Sequence, residues 1–169
     1  MAIYEVPGFA SDIGRDAVLL DTNVLYAAFN PHDDLHESAK EFLDEWPVPF
    51  VVSMGVVVEA WGLLVRGKHR RLPMGLDLLQ WLSGNPGVVS VLPQMSDSFS
   101  KAQDLVNSIR VDCMDALLSH LANDVSTRSF GTSDIRLATF DVSDFVRCKE
   151  RHGLRVIIMD LTDNAYPEY

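Results

Sequence analysis

Short, densely apolar runs recur along this chain, and they are apolar throughout rather than alternating. Residues 17–21 (Ala-Val-Leu-Leu-Asp), Phe50-Val51-Val52, Val88-Val89-Ser90-Val91-Leu92, Ile135 to Phe140 and Arg155 to Met159 each read as a strand. A strand with no polar side is buried on both faces, and between these runs lie stretches with helical spacing. That alternation is the mark of a parallel sheet covered by helices on each side. The expected fold class is therefore α/β, a three-layer α/β/α sandwich with a central parallel sheet. In such folds, function sits at the carboxyl ends of the strands.

The helices follow from periodicity and end signals. Asp34 and Glu37 have the spacing of a capping box. Leu35, Ala39, Phe42, Leu43 and Trp46 continue at helical intervals until Pro47 and Pro49. Ser53 can cap a helix over 54–66, which is apolar nearly all round and expected to be buried. Pro73 opens another, with Leu76, Leu79 and Leu82 on its apolar stripe and Gly84 as its stop. Asn85-Pro86-Gly87 reads as a turn. A helix near 96–109 is expected to bury Phe99, Ala102, Val106 and Ile109. The next, from about 112, would bury Met114, Leu117, Leu118 and Leu121. Ser129 to Asp134 reads as loop, 143–151 as the last helix, and Gly153 as its stop.

With 169 residues and no repeat, linker or low-complexity tract, one domain over 1–169 is expected. The start of the chain lacks a basic segment followed by an apolar one, and no run approaches the ~18 residues that cross a bilayer. Cys113 and Cys148 are too few for a disulfide scaffold and read as reduced and cytoplasmic, with a pair between them left open. The net charge of −10 weighs against broad nucleic-acid binding, unless bound cations offset it, and suits a basic protein partner.

Four acids stand in apolar company. Asp21 closes the first strand, Glu59 interrupts Val56-Val57-Val58-Glu59-Ala60-Trp61, Asp115 precedes Ala116-Leu117-Leu118, and Asp141 closes Leu137-Ala138-Thr139-Phe140. Charge in such places is costly unless paired or bound to a cation. Together the four would make a hard, oxygen-rich site for Mg²⁺ or Mn²⁺. Singly, Asp21, Asp112 and Asp115 have good explanations at helix N-termini, and so does one of Asp141 and Asp144. Glu59 resists that explanation, because Gly55 and Gly62 strip its helix face of bulk. An exposed face or close backbone packing would account for those glycines, as would the open rim of an acidic pocket.

Other chemistries find less support. The chain has no Gly-rich phosphate loop, no paired-cysteine zinc spacing and no serine nucleophile elbow. His36, His69, His120 and His152 are scattered and read as surface or helix-face residues. Arg66, Lys68, Arg70 and Arg71 form a basic loop, most simply a solvated one, but also a candidate contact to an RNA backbone.

Leu20-Asp21-Thr22-Asn23-Val24-Leu25, then Glu59, then Asp115-Ala116-Leu117-Leu118, then Ala138-Thr139-Phe140-Asp141-Val142-Ser143-Asp144-Phe145 resemble the PIN-domain nucleases. The likeness is strongest to VapC-type toxin ribonucleases and runs from about residue 16 to 160. It implies a helix-covered parallel sheet and RNA cleavage dependent on Mg²⁺ or Mn²⁺. It places Asp21, Glu59, Asp115 and Asp141 on the family's four acidic positions, Asn23 and Thr139 on its supporting polar positions, and Asp144 and Asp112 on further ones. It also implies an antitoxin partner and a possible homodimer. The expected function is a metal-dependent endoribonuclease. Two rivals stay open. One is a PIN-like module that mainly docks a protein; the other is a haloacid-dehalogenase-like phosphatase, which usually wants an Asp where this chain has Asn23.

Overall fold

The computed structural model describes residues 17–47, 49–66, 71–85, 88–91, 95–128, 135–163 and 166–168, with 88–91, 95–99 and 124–128 described through the backbone. Among these residues five strands form one sheet: β1 (Val18–Leu20), β2 (Phe50–Ser53), β3 (Val88–Val91), β4 (Arg136–Thr139) and β5 (Ile157–Asp160). Their spatial order is β3-β2-β1-β4-β5, and every pairing is parallel. β1 therefore lies at the centre, and all three of its residues are fully buried.

Among the described residues seven helices connect the strands: α1 (Thr22–Phe29), α2 (His36–Glu45), α3 (Met54–Arg66), α4 (Leu72–Gly84), α5 (Met95–Ile109), α6 (Cys113–Arg128) and α7 (Val142–His152). Helix α1 touches α2, α3 and α4, while α6 touches α5 and α7. These groups are the two helical layers of an α/β/α sandwich. The strand order reverses at β1: the chain runs outward through β2 and β3, then returns to place β4 on β1's other side. Leu20 pairs with Ala138, so the carboxyl ends of β1 and β4 emerge together at the switch point. There a doubly wound sheet leaves a crevice for a ligand.

Several expectations need correction. Asp34 does not cap a helix. Helix α2 starts at His36, its N-cap residue Leu35 makes no side-chain cap, and it is Asp33 that accepts the Leu35 N–H at 3.0 Å. Helix α3 is not buried all round, since Val58 is 66% exposed and Met54 and Leu63 are also exposed. On α4 the stripe is turned, burying Met74, Gly75 and Leu78 while Leu76 and Leu79 face outward. Leu105 and Ala102 are the deeply buried residues of α5, with Val106 and Ile109 only partly covered. On α6, Ala116, Leu118 and Ala122 are buried, and Met114, Leu117 and Leu121 are half-buried. His120, read as a surface or helix-face residue, lies on α6 and is buried. Phe99's side chain and the 129–134 segment lie outside the described residues.

Other readings hold. Ser53 Oγ accepts the Gly55 N–H at 3.3 Å at the head of α3. Gly153 ends α7 in the left-handed region, at φ 60°. Cys113 and Cys148 are both free thiols, one exposed and one buried. The segment after β5 folds back. Glu168 bridges to Met159 in antiparallel fashion, and Tyr166 packs edge-on against Phe42 and Trp46. Among the described residues no helix is long and apolar enough to cross a membrane.

Candidate active site

Asp21 follows β1 directly and is only 3% exposed. It is the N-cap of α1, and its Oδ1 accepts the Thr22 N–H at 2.6 Å. Capping uses one oxygen; the other accepts the Thr139 hydroxyl at 2.7 Å, across the β1–β4 seam. Thr139 Oγ1 also accepts from the Asn23 side-chain amide at 3.0 Å and from the Asp141 N–H at 2.9 Å. One buried hydroxyl thus spends its donor and both lone pairs, which is its full capacity. Asn23 Oδ1 in turn accepts the Phe140 N–H at 3.2 Å. The two supporting polar residues therefore tie the ends of β1 and β4 into one unit.

Glu59 reaches the same place from α3. The Thr22 hydroxyl donates to its Oε2 at 2.6 Å. Of the glycines on its helix face, Gly55 is closely approached: a Cβ there would lie 2.8 Å from Met114 Cε. A Cβ on Gly62 would meet nothing within 4 Å. Close packing accounts for the first glycine and open space for the second. The Met114 contact brings the head of α6, and with it Asp115, toward α3.

The acids perturb one another. Burial pushes Asp21 up from the usual 3.8 to about 6, against the pull of its Thr139 and Thr22 hydrogen bonds, and the charges of Glu59 and Asp141 push it further. Asp115 rises to about 7, first through burial and then through Asp21, Asp112, Asp144 and Asp141. These are like charges gathered in a low-dielectric place. Among the described residues no lysine, arginine or histidine forms an ion pair with Asp21, Glu59, Asp115 or Asp141. Nor, among them, do three acidic, histidine or cysteine side chains stand close enough to share one cation as they are. The acids act on each other's charge without touching at ligand spacing.

The outlying candidates have structural work of their own. Asp112 is exposed, and its Oδ1 accepts the Met114 N–H at 2.8 Å at the head of α6. Asp144 pairs with Arg147 one turn along α7 and also accepts from Ser143. Asp141 is exposed and accepts the Ser143 hydroxyl at 3.0 Å. Arg66 and Arg71 are exposed, at the end of α3 and just before α4. Lys68 and Arg70 lie outside the described residues. Thr22, with the hydroxyl that holds Glu59, was not singled out from the sequence. The only available signal was its place beside Asp21, where a threonine is otherwise unremarkable.

An all-parallel α/β sandwich with carboxylates at its switch point is the layout of a doubly wound α/β protein. Residues 18–143 match the PIN domain model, and the chain belongs to that family. Solved structures of the same fold include the Mycobacterium tuberculosis toxin VapC20, described as cleaving the sarcin-ricin loop. It is 21% identical over 77% of this chain and 93% of its own, with a TM-score of 0.61. VapBC2 from Rickettsia felis, bound to a DNA fragment from its promoter, is 17% identical over 85% and 99%, with a TM-score of 0.56. FitAcB from Neisseria gonorrhoeae is 18% identical over 82% and 95%, with a TM-score of 0.53. No curated protein matches the sequence itself.

Proposed function

We propose that this protein is a divalent-metal-dependent endoribonuclease and the toxin of a type II toxin–antitoxin pair. The observation that carries the proposal is Asp21: a buried carboxylate, raised to about 6, at the switch point of a PIN fold and facing the charges of other acids. Such a group calls for an opposite charge, and all-oxygen ligands suit Mg²⁺ or Mn²⁺. Asp21, Glu59 and Asp115 would hold one cation; Asp141 would help hold a second or orient the attacking water. Asp115 is partly exposed and Asp141 exposed, so rotation of their side chains can bring them to ligand spacing beside Asp21 and Glu59. A cation held by these residues would lower the pKa of a bound water and neutralise charge on the scissile phosphate.

The chain's own part is positioning. Thr139 and Asn23 fix Asp21 and the backbone of Asp141, so that those ligands need little reordering on binding. Arg66 lies two turns beyond Glu59, about 10 Å along α3. Arg66, Lys68, Arg70 and Arg71 would therefore grip backbone phosphates flanking the scissile one.

RNA as the substrate class is supported by the family and by the sarcin-ricin loop cleavage ascribed to VapC20. An antitoxin partner is supported by likeness to VapBC2 and FitAcB, and a homodimer is part of the same reading. The exposed Met54, Val58, Leu63, Leu72, Leu76 and Leu79 favour a second reading, in which docking a protein is the main task.

Total cellular RNA, incubated with the purified protein and Mg²⁺ or Mn²⁺ and then mapped for cleavage sites, separates these readings. Wild type should cut at defined sites, while Asp21→Asn or excess EDTA should reduce cutting at least ~10²-fold. Equal cutting by Asp21→Asn would refute the mechanism. No Mn²⁺ uptake in calorimetry would favour docking.

A further inference from the structure

We propose that Thr22 is a positioning residue for the metal site, holding Glu59 in the orientation in which it ligates the cation; this rests on the metal-dependent reading above. Thr22 is the first residue of α1 and is buried. Asp21 already caps that helix, so the Thr22 hydroxyl is not needed for capping. Both donors of Thr22 go instead to acids. Its N–H meets Asp21 Oδ1 and its hydroxyl meets Glu59 Oε2, each at 2.6 Å.

Glu59 comes from a different helix, 37 residues on. Among the described residues, the Thr22 hydroxyl is the only hydrogen-bond donor its carboxylate has. A glutamate with no such tether samples many rotamers, and a cation that recruits it must first order it. The Thr22 bond does that ordering beforehand. It occupies one oxygen and leaves Oε1 for a cation.

The clamp also links the acids in one line. From Glu59 it passes through Thr22 to Asp21, and from Asp21 through Thr139 to the backbone of Asp141. Three of the four acids are thereby set relative to one another by two threonines, one opening the helix after β1 and one ending β4. Asp115 stands outside this line and joins through charge alone.

The test is Mn²⁺ calorimetry on wild type, Thr22→Val, Thr22→Ser, Glu59→Gln and the Thr22→Val/Glu59→Gln double variant. Denaturant unfolding in EDTA shows that each is folded. Thr22→Val keeps shape and burial but loses the donor, and should weaken Mn²⁺ binding about 10- to 100-fold. Thr22→Ser should stay within about threefold of wild type. On the Glu59→Gln background, Thr22→Val should add little, because it acts through Glu59. If Thr22→Val does not fold, Thr22→Ala carries the same expectation. Normal Mn²⁺ affinity in Thr22→Val beside weak binding in Glu59→Gln overturns the positioning role alone. Independent, additive losses overturn it too. Wild type that takes up no Mn²⁺ overturns the metal reading and this proposal with it.

Discussion

Thr139 is the residue on which the ends of the two central strands depend. It is wholly buried, and its hydroxyl serves the Asp21 carboxylate, the Asn23 amide and the Asp141 N–H. Each buried group left without a partner costs about 1–3 kcal/mol. Thr139→Val should therefore destabilise the protein by about 2–4 kcal/mol, although it loses no volume. Thr139→Ser, which keeps the hydroxyl, should lose less than about 1.5 kcal/mol. Urea unfolding of the two variants measures the difference, and equal midpoints would remove Thr139 from this role. The position of Asp21 could be read from the chain because a charge ended an apolar strand. That of Thr22 could not, because its partner Glu59 arrives from another helix and no local pattern announces it.

Among the elements, α3 and α4 show what periodicity conveys and what it leaves open. Both helices were legible in the sequence, α3 from its Ser53 cap and α4 from Pro73 and Gly84, and so were the five strands. Which side of α4 is buried was not legible. It carries apolar residues on two faces, and contact with α3 selects Met74, Gly75 and Leu78 over Leu72, Leu76 and Leu79. Gly75 is the point of approach: a Cβ there would lie 2.8 Å from both Trp61 Cζ3 and Val65 Cγ1. An indole ring and a branched side chain have little room to yield. Gly75→Ala should cost about 1–3 kcal/mol in urea unfolding, despite its better helix propensity. At Gly55 the obstructing atom is the tip of Met114, a flexible side chain. Gly55→Ala should hold stability to within about 1 kcal/mol. By displacing Met114 it should disturb Asp115 next to it and lower RNA cleavage. Unchanged cleavage would mean that the α3–α6 contact does not set the site.

At the scale of the whole molecule, the acids make stability depend on pH in an unusual direction. Asp21 holds its proton up to about 6 in the folded protein but releases it near 3.8 when unfolded. Between those values the folded state binds more protons, so stability falls as pH rises through the window. The contribution of Asp21 is about 3 kcal/mol. Asp115, raised to about 7, acts in the same direction with a smaller effect because it is partly exposed. In EDTA the melting temperature should drop between about pH 5 and about pH 7.5, and Mn²⁺ should raise it more at the higher pH, where protons no longer compete. A melting temperature in EDTA that is flat or rising over that interval would contradict this. The overall architecture was legible because parallel strands buried on both faces leave a plain mark. The crowding of the acids was not, because charge coupling depends on distances that no spacing along the chain supplies.

The central strand has a partner that comes late. β1 is complete by residue 20, yet the strand it pairs with at the site begins at Arg136. A chain emerging from the ribosome holds Asp21 and Glu59 long before Thr139 and Asp141 exist to meet them. Long-range pairing of this kind is slow to form, and domains complete only when their last partner arrives. A nascent chain that stops short of β4 therefore carries Asp21 with no Thr139 to fix it, and the site stays incomplete until the last part of the chain is made.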